Sequence, residues 1–98
     1  MIMLRTAVLS LALVATPAFA AGFQAETGTQ PAQARFVARD SIWRCAGTVC
    51  VSTNETATRP AIVCAALARQ VGALRSFSAN GRTFGAEELQ ACNARAPS

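Results

Sequence analysis

Two stretches of the chain have the apolar, β-branched composition of strands joined by tight turns. Residues 35–45 are rich in valine, isoleucine and aromatic side chains, and residues 49–53 continue this character after Gly47. Glycine is favoured where a short loop must reverse the chain. The pattern therefore predicts a β-hairpin that turns at Gly47.

A second hairpin is predicted over residues 74–84. The pair Asn80-Gly81 suits the positive φ angles of a type I′ turn. A two-residue loop at this pair places Phe77 opposite Phe84, so that the two rings form a cross-strand pair in the core.

Two other segments have helical spacing. Residues 59–71 begin next to Pro60, which suits a first helical turn, and are followed by Gly72. A shorter helix follows Gly85 and carries two glutamates in its first turn, where negative charge is favourable. The positions expected to face the interior of the two helices are Cys64, Leu67, Val71, Leu89 and Cys92.

These elements predict a small single α+β domain with two β-hairpins and two helices over residues 35–95. Residues 21–34 contain glycine, proline, threonine and glutamine with almost no large apolar group, and are expected to form a flexible leader. Residues 96–98 are expected to form a short tail.

The N-terminus has the three parts of a secretory signal peptide. Arg5 supplies the positive charge, residues 6–15 are apolar, and small side chains at Ala18 and Ala20 suit signal peptidase. The apolar run is too short to span a membrane. Residues 1–20 are therefore predicted to be removed, which gives an exported, periplasmic or secreted protein with no transmembrane segment after cleavage.

Four cysteines remain in the mature chain, and an even set in an oxidising compartment indicates two disulfides. Three pairings are conceivable. The hairpin favours Cys45 with Cys50, and the two helices favour Cys64 with Cys92. In the chain-entropy model, the longer loop contributes roughly 3.5 kcal/mol and the shorter one roughly 2 kcal/mol.

Pairing across the first hairpin has a consequence for its two faces. Trp43 then lies on the same face as both sulfurs, and Ile42 lies on the opposite face. Either the sheet is covered on both sides, or the strands pair in another register. A thioredoxin-type site needs two residues between its cysteines and a helix start, whereas four residues separate Cys45 from Cys50.

The chemistry available to the chain is limited. It contains no histidine, lysine or tyrosine, and no phosphate-binding or nucleophile motif. Glu87 and Glu88 are adjacent, so on a helix their side chains diverge by about 100°. The cysteine spacing does not fit a zinc site. We therefore expect no enzyme activity, no cofactor and no metal.

All cations of the mature chain are arginines. Eight arginines against five acidic residues give a net charge of +3 after the signal peptide, with Arg5, is removed. Arg35, Arg39 and Arg44 lie close together in sequence and are the candidates for weak anion contact, with Asp40 as their expected ion-pair partner. The arginines are dispersed, so specific nucleic-acid binding is not predicted, and any anion binding should be weak and salt-sensitive.

A resemblance adds to this interpretation. The segments 43–51, 59–64 and 72–77, together with Cys92-Asn93, are similar to a family of short, signal-peptide-bearing, four-cysteine uncharacterised bacterial proteins. The resemblance covers residues 36–95 and implies a periplasmic setting. It transfers no activity and no binding residue.

Together these observations predict a non-catalytic periplasmic binding or envelope-associated module. Its expected partner is an envelope protein or an anionic envelope component. The alternative is a thiol-disulfide redox accessory protein, which would have reactive cysteines where a structural protein has none.

Overall fold

The fold is a six-stranded antiparallel sheet with two helices on one side. The structure is a computed structural model that describes residues 22–97. The predicted signal peptide, residues 1–20, lies outside these residues. The elements are β1 (Phe23–Thr27), β2 (Arg35–Ala38), β3 (Ser41–Ala46), β4 (Val49–Ser52), α1 (Pro60–Val71), β5 (Leu74–Ala79), β6 (Arg82–Thr83) and α2 (Ala86–Asn93). The strand order is β2-β3-β4-β1-β5-β6, and the α+β class with two helices is confirmed.

Strand β1 corrects the expectation of a flexible leader over residues 21–34. It lies in the middle of the sheet and pairs with β4 on one side and β5 on the other. Phe23, Ala25 and Thr27 are buried on one face. This segment is ordered because its backbone is hydrogen-bonded on both edges, although it carries a single large apolar side chain.

The predicted hairpins are present, and a further turn divides the first one. Residues 35–45, expected as one strand, form β2 and β3, which are joined by Arg39 and Asp40. Gly47 has a φ of 63° in the β3–β4 turn, as its position predicts. Asn80 and Gly81 both have positive φ angles, which confirms the type I′ geometry of the β5–β6 turn.

The core lies between the sheet and the two helices. Trp43, Phe77 and Leu67 are fully buried there. Phe77 packs on Phe84 with 4.8 Å between ring centroids, as the two-residue loop predicts. Because the aromatic rings come from β1, β3, β5 and the chain after β6, the core ties together strands that are distant in sequence.

Both predicted disulfides are present. Cys45 and Cys50 are cross-strand partners in β3 and β4, with a Cα–Cα distance of 4.0 Å. Cys64 and Cys92 join α1 to α2, with a Cα–Cα distance of 5.7 Å. The second bridge holds the two helices together over the same face of the sheet.

The structure resolves the question of the two faces of β3. Trp43 is completely buried, whereas the neighbouring Ile42 is 47% exposed. The register is the expected one, and in the described residues the second face of the sheet is covered by neither helix. No helix in this part of the chain has the length and apolar character needed to cross a membrane.

Candidate functional site

The uncovered side of the sheet, which we call the open face, presents an unusual mixture of side chains. Alternation along the strands places half of each strand's residues on this side. The open face consists of Gln24, Glu26, Arg35, Val37, Ile42, Arg44, Ala46, Val49, Val51, Ser76, Ser78 and Thr83. Three of the four large aliphatic side chains that are exposed in residues 22–97 belong to it: Val37, Ile42 and Val49.

Two arginines lie side by side on the open face. Arg35 of β2 and Arg44 of β3 are direct cross-strand partners. The adjacent main-chain bond runs from Cys45 N to Ala34 O at 2.7 Å. Arg35 and Arg44 therefore occupy a non-hydrogen-bonded position, where facing side chains approach most closely. Two like charges at such a position repel each other.

No acidic side chain relieves this repulsion in the described part of the chain. The ion pair found there joins Arg82 to Glu88 at 3.0 Å, at the β6 end of the fold. Glu26 is the acidic residue of the open face, and it belongs to β1. Strand β4 separates β1 from β3, which carries Arg44. The two guanidinium groups thus remain available to an external anion.

A shallow depression lies next to the arginine pair. Its volume is about 360 Å³, and it is lined by both arginines together with aliphatic and hydroxyl-bearing residues. The lining residues are Arg35, Ile42, Arg44, Val51, Thr53 and Asn54. The depression therefore offers charge, apolar surface and a hydroxyl group within one small area.

In the described part of the chain, Asp40 forms no ion pair with Arg35 or Arg44, although its sequence position suggested one. Its carboxylate accepts hydrogen bonds from Thr56 Oγ1 at 2.6 Å and from Thr58 Oγ1 at 3.1 Å. The Thr56 hydroxyl, supported by that of Thr58, holds the pKa of Asp40 below its ordinary value of 3.8. Asp40 thus ties the β2–β3 turn to the segment that leads into α1.

Asn54 strengthens the same attachment. Its side-chain amide donates to Asp40 O at 3.1 Å, and its Oδ1 accepts from Ile42 N and from Ser52 Oγ. The Asn54-Glu55-Thr56 sequence, formally a glycosylation sequon, therefore serves here as a structural loop. The strand position of Ile42 and the connector after β4 are fixed relative to each other by this one side chain.

The third candidate arginine lies elsewhere. Arg39 has a φ of 61° in the β2–β3 turn, and its side chain lines a groove of about 450 Å³ between the helices. Arg69, Arg95 and Glu88 also line this groove. The structure therefore brings Arg35 and Arg44 together and separates Arg39 from them.

Sequence reasoning did not identify the exposed apolar part of this surface. Val37 faces Ile42 directly across β2 and β3, beside the arginine pair. The side of the sheet on which Ile42 lies, opposite Trp43, was predicted by period-two alternation, but its exposure was not. Predicting that Val37 lies beside Ile42 would have required recognising the turn at Arg39 and Asp40.

Comparison with known proteins gives a family and no function. No curated protein and no solved structure matches the chain. A family model, DUF8200, matches residues 9–94, which is most of the sequence. The chain therefore belongs to DUF8200, a family of unknown function.

Proposed function

We propose that this chain is a non-catalytic, exported bacterial protein that binds a component of the cell envelope through its open face. The proposal is carried by one observation: within residues 22–97, Arg35 and Arg44 face each other without an acidic partner, beside the exposed Val37 and Ile42. Such a pair costs folding free energy and gains favourable interactions when an anion binds.

The export part of the proposal rests on the signal-like N-terminus and on the disulfides. Residues 1–20 have the charged, apolar and small-residue parts of a signal peptide. The four cysteines form two disulfides, which persist in oxidising compartments such as the periplasm. Intact-mass measurement on protein from its host should give a chain that starts at Ala21. A mass that retains residues 1–20 would contradict export.

The binding part can be tested with envelope fractions from the host and the purified mature chain. Ile42→Ser should reduce retention on the envelope, because it removes apolar contact from the open face. Ile62→Ser is the matched control, since Ile62 is 42% exposed on α1 and Ile42 is 47% exposed on β3. Equal retention of both variants would contradict a role for the open face.

The redox alternative has less support from the described residues. Cys50, Cys64 and Cys92 are buried, and Cys45 is the one partly exposed cysteine. Buried sulfurs react slowly with external thiols. A thiol count on protein from its native compartment distinguishes the two functions, because a redox protein should give reactive cysteines and a structural one should give none.

A further inference from the structure

We propose that the envelope component recognised by the open face is a phosphate-bearing anionic lipid surface. This inference rests on the proposed function and specifies its ligand. Arg35 and Arg44 bind lipid phosphate oxygens, while Val37, Ile42 and Val51 contact the apolar boundary beneath the headgroups. The chain lies on the membrane without crossing it.

The charge arrangement fits a phosphate group. A guanidinium group donates two parallel hydrogen bonds, and two adjacent groups can bind different oxygens of one phosphate. The depression beside Arg35 and Arg44 has a volume of about 360 Å³ and also includes Thr53. Thr53 is exposed, and its hydroxyl group can donate to the same anion.

The aliphatic side chains fit the lipid part of the same surface. Val37 is 56% exposed and Ile42 47% exposed, and both are next to the arginine pair in the sheet register. Peripheral membrane binding combines this type of apolar contact with attraction between basic side chains and anionic lipids. A free phosphate ion would use the arginines and leave the aliphatic side chains in water.

A second copy of the chain is a poorer occupant. Packing two open faces together would place two Arg35–Arg44 pairs in one interface, where like charges oppose association. An added peptide strand is also disfavoured at the β2 edge, because Gln70 Nε2 donates to Val37 O at 2.8 Å and occupies that carbonyl group. At the opposite edge, β6 spans two residues.

The test is sedimentation of the mature, disulfide-bonded protein with lipid vesicles. Vesicles of phosphatidylcholine containing phosphatidylglycerol are compared with vesicles of phosphatidylcholine alone. Each basic residue at an anionic surface contributes roughly a fivefold factor to partitioning. Arg35→Gln with Arg44→Gln should therefore lower partitioning to the anionic vesicles about 25-fold.

The matched control is Arg69→Gln with Arg95→Gln, which removes the same net charge from the helix side. We expect it to change partitioning much less, since these arginines face away from the bound surface. An equal loss in both double variants would overturn the proposal, because general basicity would then explain the binding. Circular dichroism confirms that each variant is folded.

Two further arms separate the lipid from other sources of anion. Inorganic phosphate should not displace the protein from vesicles when sodium chloride keeps the ionic strength equal; displacement would indicate a free-phosphate site and overturn the proposal. Retention on host envelope without binding to pure lipid vesicles would also overturn it. That result would leave the proposed envelope-binding function intact, with a protein as the partner.

Discussion

The two faces of the sheet are built from the same strands but have different compositions. On the helix side, Trp43, Phe77 and Phe23 form a connected aromatic core. On the open face, Arg35 and Arg44 stand beside partly exposed aliphatic side chains. Both faces share the same backbone hydrogen bonds, so the difference arises from the side chains alone.

This difference separates stability from interaction. Residues of the helix side exclude water from one another, so their loss destabilises the fold. Residues of the open face gain little from their neighbours, and the arginine pair opposes folding. Substitutions on the two faces should therefore affect different measurements.

The largest expected effect comes from Phe77→Ala on the helix side. Phe77 is 1% exposed, and its removal leaves a cavity that should lower the free energy of unfolding by about 3–5 kcal/mol. Ile42→Ala on the open face should cost less than about 1 kcal/mol. Urea unfolding measures both values, and similar losses would contradict the division between the two faces.

The next largest effect is expected from the disulfide between the helices. Cys64→Ala with Cys92→Ala should lower stability by roughly 3.5 kcal/mol, since the bridge spans 28 residues. Cys45→Ala with Cys50→Ala opens a bridge of five residues and should cost roughly 2 kcal/mol. Chemical denaturation measures the stability that each variant loses. A greater loss after removal of the hairpin disulfide would contradict this ranking.

A smaller, favourable effect is expected at Arg39. Asparagine tolerates positive φ better than arginine, so Arg39→Asn should stabilise the fold by about 0.5 kcal/mol. Gly47→Ala should instead destabilise the fold, because Gly47 has a φ of 63° in the next turn. Thermal unfolding measures both stability changes.

Because Arg39 lines the helix-side groove, Arg39→Asn should lower vesicle binding far less than the open-face variants do.

Charge reversal should act in opposite directions on the two sides. Arg44→Glu replaces a repulsive cross-strand pair by an attractive one and should raise stability by about 0.5 kcal/mol. Arg69→Glu places negative charge in the last turn of α1 and should lower stability by a similar amount. Urea unfolding at low and high salt measures the stability change of each variant. Stabilisation by Arg69→Glu would contradict the predicted opposite effects.

The smallest effect concerns acid. The Gly85 backbone N–H, with the Arg82 guanidinium, holds the pKa of Glu88 below its ordinary value of 4.5, and the Thr56 hydroxyl does the same for Asp40. Their stabilisation is complete above about pH 4.5 and is lost as the pH falls through the lowered pKa values. Both groups attach the helical side to the sheet.

The variant Asp40→Asn with Glu88→Gln tests the acid effect. Its thermal midpoint should be lower than that of the parent protein at neutral pH, and the difference should shrink in acid. Glu87→Gln is the control. It also removes a carboxylate from the first turn of α2 but leaves Asp40 and Glu88 in place. A constant difference across the whole acid range would contradict the assignment.

Local sequence determined much of this protein. The glycine turn at Gly47 and the Asn80-Gly81 turn fixed two hairpins because few other residues adopt positive φ easily. Pro60 and Gly72 bounded α1, and helical spacing placed Cys64 in the interior. These signals act within a few residues, so the disulfide pairing followed from them.

Tertiary structure decided the centre of the sheet and the candidate site. Strand β1 has a weak local pattern, with Phe23 and Ala25 alternating inward, and becomes a strand because β4 and β5 hydrogen-bond to both of its edges. The turn at Arg39 carries no glycine and is held by the contacts of Asp40 and Asn54 with residues far along the chain. That turn pairs Arg35 with Arg44, so the open face depends on contacts that no local sequence pattern encodes.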